Sequence, residues 1–238
     1  MPNLKISLVI PAHNEEKYIG ACLQSAQKHA GDFCEIIVIN NASTDKTAEV
    51  AKNFPGVRVV DEPQKGLTKA RQRGLMEAGG DIVAYIDADC RLPSRWFETV
   101  FKEFNSNPNL VALSGPYRYY DLPHFQKFIA ELGWWAAPPI YRAVGYMILG
   151  GNFAAKKNAL QKMGGFDAAI DFYGEDTDIA RRLSPFGKIL FRMDFFVHSS
   201  GRRLQAEGLL KTFLVYGVNF LWEIFYGKPF TKHYQDVR

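Results

Sequence analysis

Four short apolar runs, each ending in polar residues and each separated from the next by a helical pattern, constrain this chain more than any other feature. They are ISLVIPA at 6–12, EIIVINN at 35–41, VRVVD at 57–61 and DIVAYIDAD at 81–89. Their β-branched, nearly continuous apolar character is what strands covered on both faces require. Between them, residues 15–30 place Tyr18, Ile19, Cys22, Leu23 and Ala26 on one side of a helix. A second helix is expected over 45–54 behind the capping stretch NASTD, and a third over 66–79, ending at Gly79 and Gly80. This alternation predicts right-handed crossovers, a parallel sheet and an α/β fold whose ligands bind at the carboxyl ends of the strands.

The second half is less regular. LVALSG at 110–115, GGNFAAKK at 150–157, KILF at 188–191 and FFVH at 195–198 read as strands, with a helix from about Thr177 to Leu183. The aromatic stretch 128–147 reads as broken by Pro138 and Pro139. A mostly parallel, mixed central sheet in one domain, 1–203, accommodates both halves, divided near residue 115, with an aromatic-rich helical extension over 204–238.

A net charge of +4 spread along 238 residues argues against a nucleic-acid groove and leaves an anionic small molecule or a membrane surface. Cys22, Cys34 and Cys90 are odd in number, far apart and without CxxC spacing, which speaks against a disulfide framework or a zinc site and for a reducing compartment. Pro11 and the charges after it leave no signal-peptide core, so a cytoplasmic location is expected. Residues 209–226 are apolar and aromatic but carry Lys211 and Glu223, and a spanning helix needs ~20 largely uncharged residues. A packed or interfacial helix is expected there, with peripheral contact at the inner face of the cytoplasmic membrane.

Three polar clusters fall at strand ends: 11–15, 40–45 and 87–89. If Asp87 and Asp89 stay extended around Ala88, their spacing aims both carboxylates to one side. Mg²⁺ and Mn²⁺ bind through one or two carboxylates together with phosphate oxygens and water, so a diphosphate ligand accounts for acids in an anion pocket. Lys65, Lys69, Arg71 and Arg73, with the helix N-terminus behind Ser43 and Thr44, can hold the remaining charge. The plainer reading is that Asp87 caps the strand end and Asp89 begins a turn before Pro93. A second acidic cluster, Glu175, Asp176 and Asp178, falls where a helix should begin; helix-dipole acids contribute ~0.3–1 kcal/mol each, but three exceed what a cap requires. A base poised over an acceptor hydroxyl is the alternative.

Taken in order, SLVIPAHNEE, VINNASTD, YIDADC and GGF followed by GEDTDIARRL make the chain, from Ile6 to about His198, resemble the inverting family 2 glycosyltransferases of the GT-A, Rossmann-like fold. The resemblance implies a donor-binding half over about 1–115 and an acceptor half over about 116–203. It implies that Asp89 binds a Mn²⁺ or Mg²⁺ ion on the diphosphate of a nucleotide sugar and that Asp87 lies near the ribose. Pro11, Ala12, Asn14 and Glu15 then line the nucleotide pocket, joined by Asn40, Asn41, Lys65, Arg71 and Ala88. Asp176 becomes the catalytic base and Glu175 an acceptor-binding group.

Many relatives carry an acidic pair where this chain has Asn40 and Asn41, which leaves UDP as the default nucleotide and GDP or dTDP open. His198 corresponds to a late metal ligand of some relatives, or is a strand-end imidazole bonded to a neighbour. Trp134, Trp135 and Tyr141 stack on an acceptor sugar, cradle a lipid chain or belong to the core, and the stretch from Phe213 to Tyr226 carries the same alternatives. Arg202 and Arg203 either close over the diphosphate or face solvent. No processive-synthase Gln-x-x-Arg-Trp signature is present, so a single transfer to a saccharide or lipid-linked acceptor, in cell-envelope polysaccharide or glycolipid synthesis, is implied. A nucleotidyltransferase would want a glycine-rich loop that PAHNEEKYIG lacks. A non-catalytic nucleotide-sugar binding module would have no use for Asp176, and a glycoside hydrolase needs no nucleotide pocket.

Overall fold

A computed structural model describes residues 4–29, 32–170, 172–228 and 230–231. The strands are β1 (Ile6–Ala12), β2 (Glu35–Asn41), β3 (Val57–Glu62), β4 (Ile82–Ile86), β5 (Leu110–Ser114), β6 (Tyr117–Tyr119), β7 (Asn152–Lys156), β8 (Lys188–Phe191) and β9 (Val197–Ser199). In chain order the helices are α1 (Ile19–Gln27), α2 (Thr47–Lys52), α3 (Leu67–Glu77), α4 (Trp96–Ser106) and α5 (His124–Gly133), followed by α6 (Ala137–Val144), α7 (Lys157–Lys162), α8 (Glu175–Leu183), α9 (Arg202–Glu207) and α10 (Leu209–Tyr226). Seven strands form one sheet in the order β3-β2-β1-β4-β7-β5-β8, and β6 pairs with β9 in a small parallel sheet. The expected mixed, mostly parallel α/β sheet is therefore the one observed: β7 alone runs against its neighbours β4 and β5.

The sheet is buried on both faces because its strands alternate. Ile6, Leu8 and Ile10 of β1, with Ile82, Ala84 and Ile86 of β4, pack into one core with α1 and α4. Val9, Val83 and Tyr85 point the other way, into a second core shared with α3, α7 and α8. Each large aliphatic side chain so buried contributes roughly 1.5–3 kcal/mol over an exposed one. Register then builds the rim. Ala12 lies opposite Asn40, so β1 and β2 end together. Ile86 lies opposite Asn152 of the antiparallel β7, which sets the turn entering β7 beside the exit of β4.

Several sequence expectations are corrected. Helix α4 was not expected, although Trp96, Val100 and Phe104 recur at helical spacing and are buried. Pro138 and Pro139 start a helix instead of breaking one: they occupy the first turn of α6, where a missing N–H has no partner to lose, and a 3-10 turn at Trp134–Ala136 joins α5 to it. Ala30, at the expected end of the first helix, and residues 232–238 of the extension lie outside the described residues.

Helix α10 is inverted in polarity. Its buried residues are Thr212, Asn219 and Glu223, while Leu210, Leu214, Leu221 and Phe225 are exposed. Glu223 meets Arg181 at 3.4 Å, and Arg181 meets Asp178 at 3.0 Å, which docks α10 on α8. Among the described residues no helix is long and apolar enough to cross a membrane.

Gly74 lets α3 sit on β1, since a Cβ there would lie 2.3 Å from Val9 Cγ1. Gly74→Leu is expected to lower stability by ~1–3 kcal/mol through overpacking, read as a fall in the urea midpoint at unchanged m-value.

Candidate active site

The acids that close β4 and open α8 meet across one buried cation. The Arg71 side chain is only 1% exposed and reaches from α3 to Asp87 at 3.4 Å and to the Glu175 carboxylate. Burial opposes a charge on Arg71, but Glu175, Asp87 and Asp176 outweigh it and hold the guanidinium protonated. Asp176, next to Glu175, accepts the backbone N–H of Gly150 at 2.9 Å. Burial, followed by the carboxylate of Glu175, pushes the Asp176 carboxyl well above the usual range, against the attraction of Arg71.

The turn at Gly150 and Gly151 makes this approach possible. A Cβ on Gly150 would fall 2.4 Å from both Arg71 and Asp176, and one on Gly151 would fall 2.2 Å from Asp87 Oδ2. Ser114 and Asn152 fasten the turn: the Leu149 N–H donates to Ser114 Oγ at 2.9 Å, and Ser114 Oγ donates to the Asn152 carbonyl at 2.8 Å. Sequence reading took GGN only as the start of a strand, although the paired glycines were its visible signal.

Asp89 occupies the other side of the rim. It pairs with Arg202 at 3.1 Å, and Arg202 also donates to both oxygens of Glu15, at 2.8 and 2.6 Å. Arg202 thus sits on the site and not in solvent. Cys90 beside Asp89 is a packing residue whose thiol reaches the Gly151 carbonyl at 3.7 Å.

A cavity of about 440 Å³ opens between these groups. Pro11, Ala12, Glu15, Asn41, Lys65 and Arg71 line it, together with Asp87, Ala88 and Asp89. So do Glu175, Asp176 and Trp134 from the second half. Sequence reasoning missed Tyr117 and Tyr119, which also line it; the Tyr117 hydroxyl accepts the Gly151 N–H at 3.0 Å.

Other expected site residues stand elsewhere. Asn14, Asn40, Trp135 and His198 are not in the lining. Asn14, in the left-handed region with φ 53°, accepts the Thr44 N–H at 2.8 Å and so ties two rim loops together. Asn40 donates to Asp61 at 2.7 Å, while Asn41 donates to the Gln64 carbonyl at 2.7 Å and accepts the Gly66 N–H at 2.8 Å. Asn41 therefore shapes the loop before α3 with its amide. Trp135 is 77% exposed, one residue on from Trp134 but on another side of the turn.

His198 is turned away by strand alternation. Tyr117, Tyr119 and Ser199 face the cavity from the small sheet, while Arg118 and His198 do not line it. Burial, then the charges of Arg118, Lys127 and Arg91, hold the imidazole below its ordinary pKa. Asp178 is a structural residue: it pairs with Arg181 and Arg182 of its own helix, at 3.0 Å each. Arg73 pairs with Glu77 at 3.0 Å.

Two acids from one strand end and the two that open α8 thus line one cavity, with the buried Arg71 between Asp87 and Glu175. The chain belongs to glycosyl transferase family 2, whose family model matches residues 7–167. It is 36% identical over 100 residues to the uncharacterized glycosyltransferase YibD of Escherichia coli (strain K12), a match covering 40% of this chain and 29% of that one. Among solved structures it is similar to the mannosyltransferase PcManGT of Pyrobaculum calidifontis in complex with GDP-Man and Mn²⁺, with TM-score 0.68, 19% identity, and coverage of 93% of this chain and 63% of that one. It is also similar to glucosyl-3-phosphoglycerate synthase of Mycobacterium tuberculosis in complex with Mn²⁺, UDP and phosphoglyceric acid, with TM-score 0.63, 23% identity, and coverage of 92% and 76%. The fold is the GT-A fold of these glycosyltransferases. Across the first curated relatives the match spans less than half of each relative's own length.

The electrostatics carry a direct test. An ordinary aspartate titrates near ~3.9, so a carboxyl-carbon NMR titration should place Asp176 clearly higher. Glu175→Gln should bring it down, because removing the neighbouring negative charge favours ionisation and leaves Arg71 to Asp176 and Asp87.

Proposed function

We propose that the protein is an inverting glycosyltransferase that moves a sugar from a nucleotide diphosphate sugar, with UDP as first choice, to an acceptor hydroxyl. The observation that carries this reading is that Asp87, Asp89 and Asp176 line one cavity, with Arg71 held between Asp87 and the start of α8. Residues of about 1–115 hold the donor in this reading, and residues of about 116–203 present the acceptor.

The two β4 acids suit a hard divalent cation, which takes one or two carboxylates and completes its shell with phosphate oxygens and water. Asp89 would hold it with Asp87 beside it, and Asp87 keeps 40% of its side chain exposed. Solved relatives that contain Mn²⁺ with GDP-Man or with UDP support a metal-dependent donor site. When bound, the ion supplies charge neutralisation to the departing diphosphate.

The remaining chemistry falls to the chain. Asp176 accepts the proton of the acceptor hydroxyl. The acceptor oxygen forms a bond to the anomeric carbon as the bond from that carbon to the diphosphate oxygen breaks, and the nucleoside diphosphate leaves with the electron pair. Attack from the opposite face inverts the configuration. The direction of the Asp176 shift fits a base, since an ionised carboxylate of raised pKa is a stronger proton acceptor. Arg71 and the Gly150 N–H keep that carboxylate aimed into the cavity.

The Asp176→Asn protein is expected to lose ~10²–10⁴ in turnover while retaining donor binding. Asp89→Ala is expected to lose the Mn²⁺-dependent part of the thermal shift produced by nucleoside diphosphates. Wild-type turnover in Asp176→Asn, or a full Mn²⁺-dependent shift in Asp89→Ala, would contradict the assignment.

A further inference from the structure

We propose that Tyr117 reads one hydroxyl of the transferred sugar. Its O–H donates to that hydroxyl, which donates in turn to Asp87 Oδ2, so a sugar lacking the hydroxyl is selected against. This rests on the reading above, because it needs a sugar nucleotide in the cavity.

Strand alternation brings the phenol to the site. Tyr117 and Tyr119 of β6 line the cavity, while Arg118 between them is exposed and lays its guanidinium on the Phe196 ring, 3.7 Å from the centroid. The Tyr117 ring is held by its neighbours Trp134 and Tyr119, with centroids 6.2 and 6.4 Å away, and its backbone by pairing with Val197 of β9.

The Tyr117 hydroxyl still has a proton to give. It accepts the Gly151 N–H at 3.0 Å, and among the described residues nothing accepts its own O–H. Burial, then the charges of Asp87 and Asp176, push the phenol well above its ordinary pKa, so it keeps that proton. Asp87 is the complement. Its Oδ1 meets Arg71 at 3.4 Å, whereas no described residue donates to Oδ2.

These two unused atoms flank one point. A Cβ on Gly151 would lie 2.2 Å from Asp87 Oδ2 and 2.7 Å from the Tyr117 hydroxyl. One added hydroxyl can span such a pair, with O–H···O distances of ~2.7–2.8 Å on each side. The bridging group must accept from the phenol and donate to the carboxylate at once, which a hydroxyl does and a methylene does not. A diphosphate oxygen there would be repelled by Asp87.

Sheet order separates the transferred sugar from the ribose. Pro11 and Ala12 end β1 and Asn41 ends β2, so a nucleoside held by them lies on one side of β4. The Gly150–Gly151 turn enters β7, which pairs with β4 on the other side. Asp176 stands at that turn too, through its bond to the Gly150 N–H. Tyr117 therefore faces the stretch between diphosphate and base, where the transferred sugar has to lie.

The test is the affinity of the full chain, with Mn²⁺, for UDP, UDP-glucose, UDP-galactose and UDP-N-acetylglucosamine, followed by each deoxy form of the sugar nucleotide that binds tightest. Loss of one ring hydroxyl is expected to weaken wild-type binding roughly 10- to 100-fold, as for a hydrogen bond to a charged group, and loss of the others clearly less. Tyr117→Phe keeps the ring; it should weaken the parent sugar nucleotide, leave UDP unchanged, and shrink the penalty at that one position alone, because such coupling arises between groups in contact. A protein that does not bind UDP with Mn²⁺ would sink the donor reading and this inference together. UDP bound as tightly as every sugar nucleotide, equal penalties at all ring positions in the wild type, or an undiminished penalty in Tyr117→Phe would overturn this inference alone. So would a Tyr117→Phe protein that loses UDP as much as the sugar nucleotide, which marks a ribose contact or a disturbed turn.

Discussion

The guanidinium of Arg71 joins the two halves of the cavity. Reaching from α3, it meets Asp87 where β4 ends and Glu175 where α8 begins. A buried arginine carries a desolvation penalty of several kcal/mol unless carboxylates surround it, and removing one member of such a group typically costs 3–5 kcal/mol, roughly. That electrostatic requirement draws together residues more than a hundred positions apart. It also demands that the chain between them pass close by without a side chain, which is what Gly150 and Gly151 permit.

Most of the rim built by the first half was legible because its signals are local. A strand covered on both faces reads as a continuous apolar run, and a strand that ends at a ligand rim ends in polar residues, so β1, β2 and β4 and their terminal clusters could be placed from the sequence. What stayed hidden depends on partners distant in the chain. Whether Asp178 serves chemistry or its own helix is decided by Arg181 and Arg182, and which side His198 faces is decided by the phase of a three-residue strand. Pro138 and Pro139 look like breakers until the preceding turn shows them at a helix start.

The C-terminal helix shows the same limit from another direction. Composition alone marks 209–226 as apolar, and hydropathy cannot tell a helix that buries its apolar face from one that displays it. Only the ion pair between Glu223 and Arg181 and the hydrogen bond from Asn219 to Thr231, at 2.8 Å, reveal that the polar stripe points inward. The same helix then serves two surfaces. Phe213, Tyr216 and Phe220 form a wall of the cavity, and Leu210, Leu214 and Leu221 form an outer apolar face. Helix α8 joins the two regions: it carries Asp176 in its first turn and docks α10 through Arg181.

The central claim is that the acids ending β4 and the acid opening α8 work on one bound donor. A crystal structure of the protein with UDP-sugar and Mn²⁺ addresses it most directly. The account predicts the diphosphate and the metal at Asp87 and Asp89, with the anomeric carbon turned toward the Asp176 carboxylate across a space the size of one hydroxyl. A nucleotide seated away from the β4 acids, or a sugar whose anomeric carbon points away from Asp176, would contradict it.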